Sequence, residues 1–546
     1  MSRPHSNSPR RPAALAAACA AAASCGAWGQ SGVQTRAAAR DAPPPPPVTS
    51  APEPEFDIRE FRVLGNTTLP VRAIEAAVYP LLGPRGTLKT VQKAQDALVA
   101  AYHDAGFGTV LVDIPEQPVD EGIVRLKVTE GRIQSIHISG ARYYSEGHIL
   151  AELPSLKTGT VPVLPQLQAD LARVANEAAR DRQVTPLLKA GSTPGTVAVD
   201  LSVSDHLPVH GSLQVDDRYT ADTTRTRLTG ILSYDNLFQR FESLSLQYET
   251  APQKPAEVQL WALTYLGRTP DPNLTWALYG IRSKSNVAAV GTLSVIGNGK
   301  IFGARLTRAW FPSSAWTTSL SAGVDYKDFA QDVNVDPATS AATPIHYFVW
   351  SAQLTASGRT THLESSASLG LNAALRDVGG NDAEFDFNRY GARSNFMYLR
   401  GSESLTYRMW RNSAAVLRFG FQYTDSPLVN NEQFSLGGLD SVRGYLEAET
   451  LVDRGAEATL ELHAPQLVLA SARAQFFTFF DIGEGMVVQP LPAQTSRFTL
   501  DSWGLGLQAA MFGGLDAFMG WADPLRDGPR TQRGDGRFLF SVKYGF

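Results

Sequence analysis

The sequence predicts an exported chain in two parts: an α+β region reaching about residue 206, and an all-β region from there to the C-terminus. Three observations lead to this class. Residues 1–29 have the layout of a secretory signal, helical periodicity is confined to the part before Leu207, and alternating apolar and polar segments then run to the last residue. With 546 residues the chain is too long for one ordinary domain. Its net charge of -4 carries no basic footprint, so no nucleic-acid partner is expected.

Arg3, Arg10 and Arg11 precede an alanine-rich apolar run, and Ala27-Trp28-Gly29 places small residues at the cleavage-determining positions. Both cysteines, Cys19 and Cys25, fall inside this signal, so the mature chain is expected to have neither disulfides nor thiolate metal sites. Beyond the signal no window approaches 18 consecutive apolar residues, which excludes a transmembrane helix. Residues 30–55 form a linker in which Pro43 to Pro47 is a stiff extended rod. Val33 to Asp41 has room for a short helix of about two turns.

Residues 56–132 read strand, helix, helix, strand, strand. Ile58 to Leu64 alternates, Leu69-Pro70 opens a helix, Leu88 to His103 is amphipathic, and Thr109 to Ile114 and Ile123 to Val128 alternate again. Residues 133–206 repeat the order, with strands at Ile136 to Ser139, Val184 to Lys189 and Thr196 to Val203 and helices near Ser145 to Leu150 and Leu164 to Ala178. Two copies of about 75 residues are each large enough for a small core.

In the all-β region Leu244, Leu246 and Tyr248 alternate with Ser243, Ser245 and Gln247, and Leu417, Phe419, Phe421 and Tyr423 alternate with Arg418, Gln422 and Thr424. Such faces suit either a soluble sandwich or a membrane barrel. In the first the apolar side meets a second sheet; in the second it meets lipid and the polar side lines a lumen. Roughly 340 residues at about 21 per strand and loop give about 16 antiparallel strands, where a membrane crossing needs about 9–11 residues.

One stretch is not explained by alternation. Val442-Arg443-Gly444-Tyr445 follows Gly437-Gly438 and precedes the alternating strand Ala458 to Leu462, a setting for the tip of a long loop. Downstream, Phe476 to Gly483 is a strongly apolar strand that places the lone carboxylate of Asp481 near its end, where it needs water or a cation. This order of LGG, SVRGY, LELHAP and FFDIG, with the closing aromatic strand, resembles the outer-membrane transporters of two-partner secretion, the haemolysin-activator and haemagglutinin-exporter type.

That resemblance implies two α+β POTRA domains in the periplasm of a Gram-negative cell, at 56–132 and 133–206. An all-β outer-membrane barrel would follow at 207–546, with 16 antiparallel strands. It also implies that the loop Val442, Arg443, Gly444, Tyr445 folds into the lumen and that Arg443 pairs with Asp481 of the Phe479, Asp481, Gly483 strand motif. In a water-filled lumen such a pair would be wet and weak. Relatives often carry an N-terminal helix that plugs the pore, for which the segment before residue 56 is short. Phe546 would be the terminal aromatic by which the barrel-assembly machinery recognises the chain before it enters the lipid bilayer.

No enzyme is expected. Gly83 to Thr90 only superficially resembles a phosphate loop, no GxSxG elbow occurs, and the histidines lack metal-ligand spacing, so no catalytic residue, metal or cofactor is assigned. The implied work is passage of a large secreted β-helical exoprotein, unfolded, without ATP. Exposed sheet edges would receive it by strand addition, at Val110, Leu111 and Val112 in the first domain and Leu187 and Leu188 in the second. A barrel-assembly insertase of the same superfamily and a passive porin are the alternatives.

Overall fold

The computed structural model describes residues 54–546 apart from 120, 178–180, 272, 285–287, 291–292, 296–297, 314, 335–339 and 377. The expected signal and all but the end of the expected linker, including the short helix, lie outside the described residues. The first domain has a three-stranded sheet in the order Glu60–Leu64, Ile123–Glu130, Val110–Asp113, covered by the helices Val71–Val78 and Leu88–Asp104. Gly83–Gly86 pairs with Phe56–Ile58 before Thr87 and Thr90 cap the long helix reciprocally. The second domain repeats the sheet as Arg132–Ser139, Thr196–Asp205, Arg182–Ala190.

The repeat is physical as well as topological. Gly65 and Gly140, 75 residues apart, both have positive φ (+90° and +84°), and a side chain on either would strike the carbonyl of Val128 or Val203, again 75 apart. Only glycine fits both demands. At the same offset, Glu130 and Asp205 end the middle strand and accept backbone N–H groups from the turn before the helix. Thr67 and Thr68 donate to Glu130 at 2.6 and 2.8 Å; Arg142 and Tyr143 donate to Asp205, both at 2.8 Å.

Burial of Glu130 alone would raise its pKa, but the hydrogen bonds from Thr67 and Thr68 outweigh burial and hold it below the ordinary 4.5. A carboxylate whose folded pKa is depressed contributes stability above its unfolded pKa and loses it as pH falls through the folded value. Glu130→Gln is therefore expected to lower the stability of the first domain by about 1–3 kcal/mol at pH 7. The difference should vanish well below pH 4.5. Hydrogen exchange of this domain at the two pH values is the check.

From Val209 the chain forms a closed antiparallel barrel. Its 16 strand positions run from Val209–Asp216 to Arg537–Gly545, the short Leu467–Leu469 segment continuing the twelfth, Arg454–His463, along the thirteenth, Ala472–Met486. Outward residues such as Leu246, Leu320, Leu417 and Phe419 are exposed, as a lipid-facing surface requires. Closure between the last and first strands pairs only Ser541 to Gly545 with Asp216 to Ser212. Phe546 extends it, its N–H donating to the Gly211 carbonyl at 3.0 Å and its carbonyl accepting from Gly211 at 3.1 Å.

The N-terminal domains stand at the end where the first strand begins. The turn between the second and third strands holds Phe238, Gln239 and Phe241 at positive φ and enters the second domain. Gln239 accepts from the Ser145 N–H at 2.9 Å, and Phe241 stacks on Tyr144 with ring centres 5.6 Å apart. The opposite end of the lumen departs from the expected polar lining. Inward residues there, among them Leu260, Ile281, Ile301 and Phe329, are apolar and buried, because the connections 374–396 and 424–453 fold in and cover them.

Candidate functional site: the lumen loop and its anchors

The loop of interest, residues 424–453, joins the eleventh strand, Ala414–Tyr423, to the twelfth and folds back into the barrel. Its own hairpin, Phe434–Leu436 with Thr450–Val452, brings Val442 and Tyr445 into a buried apolar cluster with Leu436, Val452 and Leu500. Gly444 takes φ +95° at the tip, which lets the chain reverse between the arginine and the tyrosine. Gly483 on the thirteenth strand supplies the seat: a Cβ there would lie 2.9 Å from Val442 and 3.1 Å from Leu436. Tyr445 fixes the far side of the tip, its hydroxyl donating to the Arg526 carbonyl at 2.8 Å.

Arg443 makes four hydrogen bonds. Its N–H and Nε donate to Asp481 Oδ2 at 3.0 and 2.8 Å, Nη2 donates to Asp481 Oδ1 at 2.8 Å, and Nη1 donates to Glu461 Oε1 at 2.7 Å. The guanidinium lies 3.5 Å above the centre of the Phe479 ring, so Phe479 and Asp481 of one strand hold the same cation by its face and its edge.

Two expectations need correction here. The pair is not wet: Arg443 is 3 % exposed and Asp481 0 %, because the loop itself excludes water from the lumen wall it covers. Asp481 also stands inside its strand, paired with Thr459 and Ser502, rather than at the strand's end. Burying such charges is favourable only when every partner is made, and here it is.

Sequence reasoning passed over Glu461. It alternates inward with Glu457, Thr459 and His463 on the twelfth strand, and a glutamate in a membrane-crossing strand was the available signal. Glu461 accepts from Arg443, from Arg418 Nη2 at 2.6 Å and sits 2.8 Å from His463 Nε2. His463 stacks on Phe477 at 4.7 Å. One loop cation is thus shared between two strands, each already tied to neighbours, and the loop has a single well-defined seat.

Elsewhere the expected residues lie apart from this site. Val110, Leu111 and Val112 are on an edge strand, as are Leu187 and Leu188. Val112 is less open than expected, since its carbonyl accepts from Gln95 Nε2 at 2.5 Å. Pro186 occupies the second edge strand, where a residue without N–H is tolerated because that position points away from the neighbour. Metal-type donors meet, among the described residues, at Asp181, His210 and Asp235, which join the second domain to the first two barrel strands. His210 Nε2 lies 2.9 Å from Asp181 and 3.3 Å from Asp235.

Comparison with known proteins agrees with this architecture. Residues 56–131 match the ShlB-type POTRA domain. The outer membrane transporter CdiB of Dickeya dadantii (strain 3937) is 25% identical over 445 residues, covering 75% of this chain and 72% of the relative. CdiB of Escherichia coli O6:K15:H31 (strain 536 / UPEC) is 24% identical over 438 residues, covering 73% and 69%. Among solved structures, CdiB from Escherichia coli superposes with a TM-score of 0.61 at 17% identity, over 92% of this chain and 93% of that one. BamA from Haemophilus ducreyi lacking POTRA domains 1–3 reaches 0.55 at 14%, over 90% and 100%. These structural likenesses establish the fold. Residues 195–509, more than half of the chain, match the haemolysin secretion/activation proteins ShlB/FhaC/HecB, and to that family the chain belongs.

Proposed function

We propose that this outer-membrane transporter receives a large, unfolded, β-helical exoprotein at its periplasmic domains and passes it through the barrel to the cell surface without ATP. The second domain acts in this reading as a second POTRA domain, since it repeats the first at a constant 75-residue offset. The observation that carries the proposal is a lumen occupied by a loop held through one multidentate arginine: a passage built around an element with a defined seat. A passive porin needs no such element. A barrel-assembly insertase is the other alternative, but the family match lies with the secretion proteins.

The deciding experiment seeks a large, repeat-rich secreted protein among the neighbouring genes, co-expresses it with the chain and measures it in the medium. Appearance at the surface or in the medium only when both are present supports transport. A defect in assembly of other outer-membrane proteins on depletion, with no change in export, would favour the insertase instead.

Strand addition makes its own prediction. Because Pro186 marks the register in which N–H groups point outward, Leu188 presents an outward donor two residues on. Leu188→Pro should weaken partner binding beyond Leu188→Ala by about 0.5–1.5 kcal/mol, the net worth of one hydrogen bond. Equal affinities for the two variants in a binding titration would remove this edge from the proposal.

A further inference from the structure

The Arg443 site accounts for one end of the 424–453 loop; the other end carries a second buried charge. Glu432, 1 % exposed, lies in the short turn Asn430–Glu432. Its Oε1 accepts from Lys327 Nζ at 2.5 Å and Tyr347 Oη at 2.7 Å, and its Oε2 accepts from Tyr398 Oη at 2.8 Å. These donors project inward from the seventh, eighth and tenth strands, Trp316–Asn334, Ser340–Arg359 and Met397–Arg408. Arg443 is gripped by the twelfth and thirteenth. The loop is therefore strapped across the lumen between two walls.

The two anchors differ in depth and in kind. Tyr398 stands at the outer end of its strand, Tyr347 lies just beyond the last pairing of its strand with the ninth, Trp350 with Ala373, and Tyr347 is also the floor of an apolar lid. Phe385, from the helix Asp382–Asn388, and Phe396 meet its ring edge-on at 5.3 and 5.9 Å. Leu428 and Val429, at the start of the loop, complete the same cluster. Releasing Glu432 would loosen both covering segments where they meet Tyr347, leaving Asp453 to hold Leu428, Gln433 and Arg389 by its own bonds. The bonds it would break run to two hydroxyls and one flexible ammonium, groups that water entering the opening lumen satisfies readily. Arg443, with a planar fork matched to Asp481 and a ring beneath it, has no such substitute.

We propose that Glu432 is a positioning residue: the latch that keeps the outer end of the lumen shut between transport events. A passing chain breaks its bonds to Lys327, Tyr347 and Tyr398 while the Arg443 anchor stays made. The inference rests on the transport reading for its purpose, yet its closing action can be measured without cargo.

The test uses the full-length chain in planar lipid bilayers and in cells, comparing it with Glu432→Gln and with a Tyr347→Phe, Tyr398→Phe double variant. The second retains the carboxylate and Lys327, and so remains informative where the first inserts poorly. Both are expected to insert as heat-modifiable barrels, to open several-fold more often in bilayers, and to admit a large hydrophilic antibiotic that the outer membrane normally excludes, with export continuing. Wild-type opening in both variants would overturn the latch. So would increased opening that comes with a matching loss of export, since Glu432 would then be part of the export seat. An unmutated chain that exports nothing with its partner would count against the transport reading, and the bilayer comparison would still decide the latch.

Discussion

Arg443→Ala, Arg443→Lys and Asp481→Ala are each expected to lose nearly all export of the partner while still reaching the outer membrane. The barrel ladder involves neither side chain, so closure of the sheet survives. The loop does not keep its seat. Removing one member of a buried pair typically costs about 3–5 kcal/mol because the partner is left buried and unmatched, against about 0–1 kcal/mol for an exposed pair. With Arg443 at 3 % and Asp481 at 0 % exposure the first range applies, so a lowered midpoint of heat-modifiability should accompany the loss of export. Lysine keeps the charge but cannot donate to both Asp481 oxygens and to Glu461 at once, nor lie flat on Phe479. Export by Arg443→Lys near the wild-type level would therefore sink the idea that fork geometry seats the loop. Normal export by Asp481→Ala beside a dead Arg443→Ala would shift the role of partner to Glu461.

The general architecture was legible because periodicity reports it. A helical period that stops near Leu207 and a period of two from there to Phe546 separate an α+β region from an all-β one, while the choice of barrel over sandwich leaned on the resemblance read from VRGY and FxDxG, with which the family shown by residues 195–509 agrees. The Arg443 and Asp481 contact was legible only through that resemblance, since nothing in local pattern joins residues 38 positions apart. Two features stayed hidden. Inward apolar residues such as Ile301 and Phe329 belong to strands that look two-sided, and only the loops folding onto them make sense of that. Glu432 reads as an ordinary turn residue, because its three donors come from strands whose inward register is not visible in sequence.

Deletion of Phe546 is expected to cut the amount of assembled barrel several-fold while the N-terminal domains still fold. As the terminal aromatic it is the expected mark for the assembly machinery, and the fold adds a second reason for its cost. The seam between the last and first strands is short, and the Phe546 backbone closes its end with reciprocal hydrogen bonds to Gly211. At a net worth of about 0.5–1.5 kcal/mol each, losing both leaves the least paired junction of the barrel weaker by about 1–3 kcal/mol. The ring also has a prepared place: a Cβ on Gly211 would lie 2.3 Å from Phe546 Cζ, so only glycine leaves room for it. Gly211→Val keeps the terminal aromatic and its carboxylate yet evicts the ring, separating recognition from closure. If the deletion lowers assembled barrel and Gly211→Val does not, Phe546 acts as a recognition mark alone; if both lower it, and both melt earlier, the residue also closes the seam. Normal yield of heat-modifiable barrel from the deletion would exclude both roles.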